Sequence, residues 1–201
     1  YWWAIPPLAD HASGLIPKSW QENLGAQVLV QMVSEEAVNT EASQALNDFV
    51  QTLELPESEF NIELIVLDSK EKNAFALPSG HIVVYEGLLN SINSPDQLIA
   101  LLGHEIAHVQ ESHAMKMMTR NLMGYLLVSI VFSDVNGIFN VLAENANGLR
   151  HLSFSRGFER QADRGALQVL SMNGCSAQGL IDLLELLKGH GDHLVPEFLS
   201  T

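Results

Sequence analysis

Apolar positions first recur at helical spacing from Ser19 to about Val33. The entry to this stretch, Ser19-Trp20-Gln21-Glu22 after Pro17, has the Ser-x-x-Glu form of a capping box. Thr40 to Leu55 repeats the period, with Leu46, Phe49, Val50 and Leu53 on one stripe, and both segments read as scaffold helices. The pattern then changes. Asn61 to Asp68, carrying Ile62, Leu64, Ile65, Val66 and Leu67, is short and rich in branched residues, which predicts a buried strand. Ala74-Phe75-Ala76-Leu77 and His81-Ile82-Val83-Val84-Tyr85 flank Pro78-Ser79-Gly80 and predict a hairpin, the proline marking its first strand as an edge. Helical spacing returns after Ser94, a cap followed by Pro95 and Gln97, and a second long helix is predicted from near Ser155 to Gly174. Between them Leu122 to Ala143 is strongly apolar. A membrane span needs about 20 uninterrupted apolar residues, and Asp134, Asn136, Gly137 and Asn140 interrupt this one, so a buried helical hairpin or a lipid- or substrate-touching surface is the better reading.

These elements predict an α+β, predominantly helical fold in one domain over 1–201. Its parts are an arm over 1–18, scaffold helices over 19–60, a small sheet over 61–90, two long helices with the apolar region between them over 94–175, and a last helix with a tail over 176–201. Apolar residues make up 47% and charged residues 17%, which excludes intrinsic disorder. Ten basic against 24 acidic residues leave a charge of -14, which repels phosphate backbones and argues against a nucleic-acid partner. Cys175 cannot form an internal disulfide and reads as a small buried hydrophobe. Tyr1, Trp2 and Trp3 before Pro6-Pro7 would suit an interfacial anchor closing a membrane helix upstream of Tyr1, or the ordinary packing of a terminal arm.

The chemistry is concentrated on the helix after Ser94. His104-Glu105-Ile106-Ala107-His108 sets two imidazoles one helical turn apart on one face, the spacing of a metal chelate. Glu105 is turned round the helix from both and can act as a base on a metal-bound water. With 8 His and 16 Glu in 201 residues, about 0.025 accidental matches are expected, so the motif calls for support from its surroundings. It finds it in a segment otherwise apolar, where two unpartnered histidines and a glutamate would be costly. Gly103 would let another backbone approach closely. A third ligand should come from the later helix, where Glu159 and Asp163 share a face: Glu159 can supply a carboxylate, and Asp163 can accept the free ring N–H of His104. The competing reading pairs these acids with Arg156 and Arg160 on an exposed face. Of the remaining histidines, His113 should rotate off the metal face, His151 precedes the second helix, and His190 and His193 belong to a glycine-flanked tract. Met115, Met117 and Met118 read as core filling.

Four motifs in order resemble the M48 family of zinc metallopeptidases over most of residues 61–185. They are Asn73-Ala74-Phe75-Ala76-Leu77-Pro78-Ser79-Gly80; His81-Ile82-Val83-Val84 with Gly87-Leu88-Leu89; His104-Glu105-Ile106-Ala107-His108; and Ser155-Arg156 with Glu159 and Ala162-Asp163. The resemblance implies a gluzincin-type endopeptidase holding one zinc ion per chain through His104, His108 and Glu159, with Glu105 as general base. It implies that the hairpin borders the cleft, with Ala74, Phe75, Ala76 and Leu77 offering main-chain hydrogen bonds to a polypeptide substrate. It further implies a membrane-attached role in envelope protein quality control on the periplasmic face of a bacterial membrane, and a His-Pro element expected to begin near Thr201. A zinc-bearing chaperone or adaptor that binds polypeptides without cleaving them is the rival. Oligomeric state is left open. Because ligating imidazoles must be neutral, metal affinity is expected to fall below about pH 6.

Overall fold

The computed structural model describes residues 16–35, 37–120 and 154–188. The aromatic arm at Tyr1–Trp3, the apolar stretch Leu122–Ala143, His151 and the tract His190–His193 lie outside the described residues. The elements are α1 (Lys18–Glu35), α2 (Thr40–Gln51), β1 (Glu63–Leu67), β2 (Ala74–Ala76), β3 (His81–Tyr85), α3 (Glu86–Leu89), α4 (Pro95–Gln110), α5 (Arg156–Met172) and α6 (Gln178–Lys188). Residues 113–120 are also helical.

Two helix ends differ from expectation. Helix α1 begins at Lys18, so Ser19 lies inside it and does not cap it; the Pro17 carbonyl accepts from the Trp20 and Gln21 amides at 2.9 and 3.3 Å, and Glu22 pairs with Lys18 at 3.6 Å. Helix α2 stops at Gln51, four residues before Leu55. Its last turn tightens through i−3 bonds from Thr52 and Leu53, and the chain then leaves to place Glu54 against Asn173, whose side chain both accepts from and donates to the Glu54 backbone at 2.9 Å. The predicted stripe of Leu46, Phe49, Val50 and Leu53 packs on the core as expected.

The three strands form one sheet in the order β1-β3-β2, parallel between β1 and β3 and antiparallel between β3 and β2. Both faces are covered, which is what near-continuous apolar strands require. Leu64, Val66, Ile82 and Val84 pack toward α2, α4, α5 and α6. Leu67, Phe75, Val83 and Tyr85 pack toward α1 and toward Ala114, Met115 and Met118 of the helical segment 113–120. The methionines 115 and 118 therefore fill core, as the pattern predicted.

The two edges of the sheet differ. On β1, Asn47 of α2 satisfies both outward groups of Leu64, accepting from its amide at 3.0 Å and donating to its carbonyl at 2.7 Å. The outward amide of Val66 donates to Ser43 Oγ at 2.8 Å, and its carbonyl accepts from the Asn39 amide at 2.9 Å. Side chains of α2 and the main chain just before it, where Val38 bridges Leu67 antiparallel, together close this edge. On β2, pairing of Leu77 with His81 and of Asn73 with Tyr85 turns the odd-numbered residues toward β3. The amides and carbonyls of Ala74 and Ala76 point the other way and have no hydrogen-bond partner among the described residues. The predicted edge strand is borne out.

Helices α4 and α5 meet through small residues. A Cβ on Gly165 would collide with Ala107 Cβ, and one on Gly103 would come within 3.0 Å of Ala166 Cα and Val169 Cβ. Neither neighbour is a flexible side-chain end, so the approach depends on the missing carbons. Gly165→Ala, which in an ordinary helix would be favourable by up to about 1 kcal/mol, is expected to destabilise instead, by about 1–3 kcal/mol. Urea unfolding of the purified protein measures the sign.

Candidate metal centre and active site

Helix α4 starts where the sequence says it should: Ser94 Oγ accepts from the Gln97 amide at 3.2 Å, and Pro95 occupies the first turn. The Gln97 side chain reaches back to the Asn93 amide at 2.8 Å, one residue before the cap. Helix α5 is capped by Ser155, whose Oγ accepts from the Phe158 amide at 3.4 Å. It ends in a Schellman arrangement: Gly174, at φ +66°, donates to the Ser171 carbonyl and Cys175 to that of Leu170. With both helices fixed at their ends and brought close at Gly103 and Gly165, His104 and His108 of α4 face Glu159 and Asp163 of α5.

The Nε2 atoms of His104 and His108 are 3.0 Å apart. Glu159 Oε2 lies 3.5 Å from His104 Nε2, and Glu159 Oε1 lies 3.9 Å from His108 Nε2. A tetrahedral zinc with bonds of about 2.0–2.1 Å has ligand-to-ligand edges of about 3.3 Å. One ligand atom from each of the three residues lies within 4.8 Å of the other two, close enough for small side-chain movements to bring them round such an ion, and they form the one metal-competent group of three among the described residues. Asp163 Oδ1 sits 3.2 Å from His104 Nδ1, on the side of the ring away from the cluster. Glu159 and Asp163 thus turn to histidines, and the reading that sets them on an exposed face does not hold.

Burial and charge set the protonation of this cluster. Burial opposes a charge on His104, but hydrogen bonds to Asp163 and Glu159, with the charges of Glu105 and Glu159, overcome it and push its pKa up to about 10. Burial raises Glu105, 6% exposed, to about 7, against the pull of His104 and with a contribution from Glu159. His108, 3% exposed, is held well below its ordinary value by burial and then by His104 and His113.

His113 has contacts that spacing did not reveal. It supplies no atom to the donor cluster, as expected, yet its Nδ1 lies 2.9 Å from His108 Nδ1 and its Nε2 lies 2.8 Å from Gln161 Oε1. Helical rotation cannot be extrapolated across this stretch, because α4 ends at Gln110 and Ser112 takes φ +51°. Two phenylalanines at the start of α5 complete the packing. Phe154 stacks on His108 at 4.3 Å and Phe158 on His113 at 4.3 Å. Neither ring, nor Gln161, carried a signal in the sequence beyond lying beside Glu159. Cys175 is partly buried against the main core cluster, as predicted.

Among the described residues no helix is long and apolar enough to cross a membrane. The expected loss of metal affinity below pH 6 moves upward, because a metal must displace the proton that His104 holds up to about pH 10. If the cluster takes up a divalent cation, binding is expected to release at least one proton at pH 7 and to tighten about tenfold per pH unit from 7 to 9. Titration calorimetry in buffers of different ionisation enthalpy measures both.

The sequence model described as Peptidase family M48 matches residues 36–201. The mitochondrial metalloendopeptidase OMA1 of Arabidopsis thaliana is 33% identical over 140 residues, covering 69% of this chain and 28% of that protein. The mitochondrial metalloendopeptidase OMA1 of Bos taurus is 32% identical over 159 residues, 72% of this chain and 30% of that protein. The beta-barrel assembly-enhancing protease of Yersinia pestis is 27% identical over 150 residues, 68% of this chain and 30% of that protein. The chain thus spans less than a third of the length of these relatives.

Proposed function

The chain belongs to peptidase family M48, and we propose that it is a zinc-dependent endopeptidase acting on polypeptides. The observation that carries this reading is the convergence of His104, His108 and Glu159 beside a buried Glu105.

In this reading His104 and His108 hold the metal through Nε2 and Glu159 through its carboxylate, while Asp163 keeps His104 oriented with its hydrogen on Nδ1. When bound, zinc supplies Lewis-acid chemistry, lowering the pKa of a coordinated water to about 7 and polarising the scissile carbonyl. Glu105 accepts a proton from the attacking water and delivers it to the departing amine. Burial raises the Glu105 carboxyl above the ordinary carboxylate range, which favours its taking up a proton, while a bound cation would draw it back toward the ionised form that can accept one. Substrate lies along β2, where the outward amides and carbonyls of Ala74 and Ala76 take main-chain hydrogen bonds; Phe75 and Leu77 turn theirs to β3 and hold the strand in place. Relatives named for β-barrel assembly and for mitochondria support siting the protein at a membrane; quality control on the periplasmic side of a bacterial envelope is the reading we attach to that.

Glu105→Gln is expected to lower casein hydrolysis by about 10²–10⁴-fold while zinc stoichiometry stays at one; proteolysis at the unaltered rate would remove Glu105 from the mechanism. Ala74→Pro deletes an outward donor and leaves the β2–β3 ladder intact. It is expected to raise KM several-fold in peptide-cleavage kinetics with little change in kcat.

A further inference from the structure

A histidine ligates a metal through one ring nitrogen only if the neutral ring carries its hydrogen on the other. For His104 the outer nitrogen faces the carboxylate of Asp163, which can only accept. For His108 the outer nitrogen faces a second imidazole, His113, at 2.9 Å, and a neutral imidazole can either donate or accept. Something further must set the direction.

We propose that His113 and Gln161 are positioning residues that fix His108 in the tautomer with its hydrogen on Nδ1 and so keep Nε2 free to ligate, an inference that rests on the metal-binding reading above. The chain of bonds runs in one direction. His108 Nδ1–H donates to His113 Nδ1, and His113 Nε2–H donates to Gln161 Oε1 at 2.8 Å. Running it backwards would put a hydrogen on His108 Nε2. That hydrogen would lie 3.0 Å from His104 Nε2, on the nitrogen that the reading above needs free to ligate. The Gln161 carbonyl oxygen selects the forward direction: it can only accept, so it takes the hydrogen of His113 Nε2 and leaves His113 Nδ1 to accept from His108 Nδ1–H.

The geometry leaves His113 little alternative. It is 0% exposed, and the Phe158 ring lies stacked on it with planes 21° apart, while Phe154 covers His108 at 25°. Neither imidazole can swing out to water for a substitute partner. A neutral partner also suits the electrostatics. Glu105, Glu159 and Asp163 already bring three carboxylates to the site, and a fourth behind His108 would add to their mutual repulsion.

The test uses isotope-labelled protein and two measurements. Long-range proton–nitrogen correlation spectra of the metal-free wild type are expected to show His108 as the Nδ1–H tautomer. Replacing the acceptors, in His113→Phe and in Gln161→Leu, is expected to give a mixed or reversed His108 tautomer and to weaken zinc binding about tenfold or more in chelator competition. His113→Asn, whose carbonyl oxygen can stand in for the lost ring acceptor, is expected to stay within about threefold of wild type. Gln161 is only partly buried, so Gln161→Leu decides the matter if the phenylalanine variant does not fold. An Nε2–H tautomer in the wild type, or unchanged tautomer and affinity in Gln161→Leu, would overturn the proposal. Stoichiometric zinc uptake by the wild type, abolished in His104→Ala, checks the metal-binding reading by itself; its failure alongside an Nδ1–H His108 would remove zinc and leave the bond chain standing.

Discussion

Everything at the site depends on how closely α4 can approach α5. The donors sit on two helices separated by some fifty residues of chain, and imidazole and carboxylate side chains are short. Contact through Gly103, Ala107, Gly165 and Ala166 removes the spacing that ordinary side chains would impose. It also places the two faces in register, so that one turn of α4, from His104 to His108, lies opposite one turn of α5, from Glu159 to Asp163. Two separate caps and a Schellman end hold the helices at the lengths that make this register possible.

That proximity gathers three carboxylates and three imidazoles into a space almost closed to water, which would be prohibitive if each group were left to itself. The cluster resolves the difficulty by dividing its roles. His104 takes a proton between two acids, His108 stays neutral, and Glu105 is pushed to a pKa near 7. Such a divided set suits a cation: the site already concentrates negative charge and keeps one imidazole uncharged, and the proton that a metal must displace is held in one place.

The sheet contributes through its edges rather than its bulk. Its two faces are buried by helices on either side, so only its edges can offer main-chain groups to anything outside it. The edge at β1 is consumed internally by Asn47, Ser43 and Asn39. At β2 the outward groups of Ala74 and Ala76 are left without such partners among the described residues, on the strand that packs against the helix carrying His104 and His108.

Much of this was legible beforehand, because it is encoded over short distances. The cap at Ser94, the i,i+4 pairs His104/His108 and Glu159/Asp163, the hairpin turning at Pro78–Gly80 and the break at Gly174 each depend on a few neighbouring residues, and each appears where the pattern put it. Local signals failed where a distant partner intervened. Ser19 has the form of a cap yet lies within α1, and α2 ends early because Asn173, 119 residues away from Glu54, takes up its backbone. His113 supplies no donor, as expected, but its contact with His108 could not be read from the sequence, because a helical period presumes an unbroken helix and Ser112 at positive φ interrupts it. What the sequence determined by itself is therefore the set of short-range pairs and punctuation marks, including every donor of the candidate metal centre. Which nitrogen of each imidazole faces inward, what stands behind it, and which sheet edge is left open were decided only by tertiary structure, since these depend on contacts between groups that no local periodicity relates.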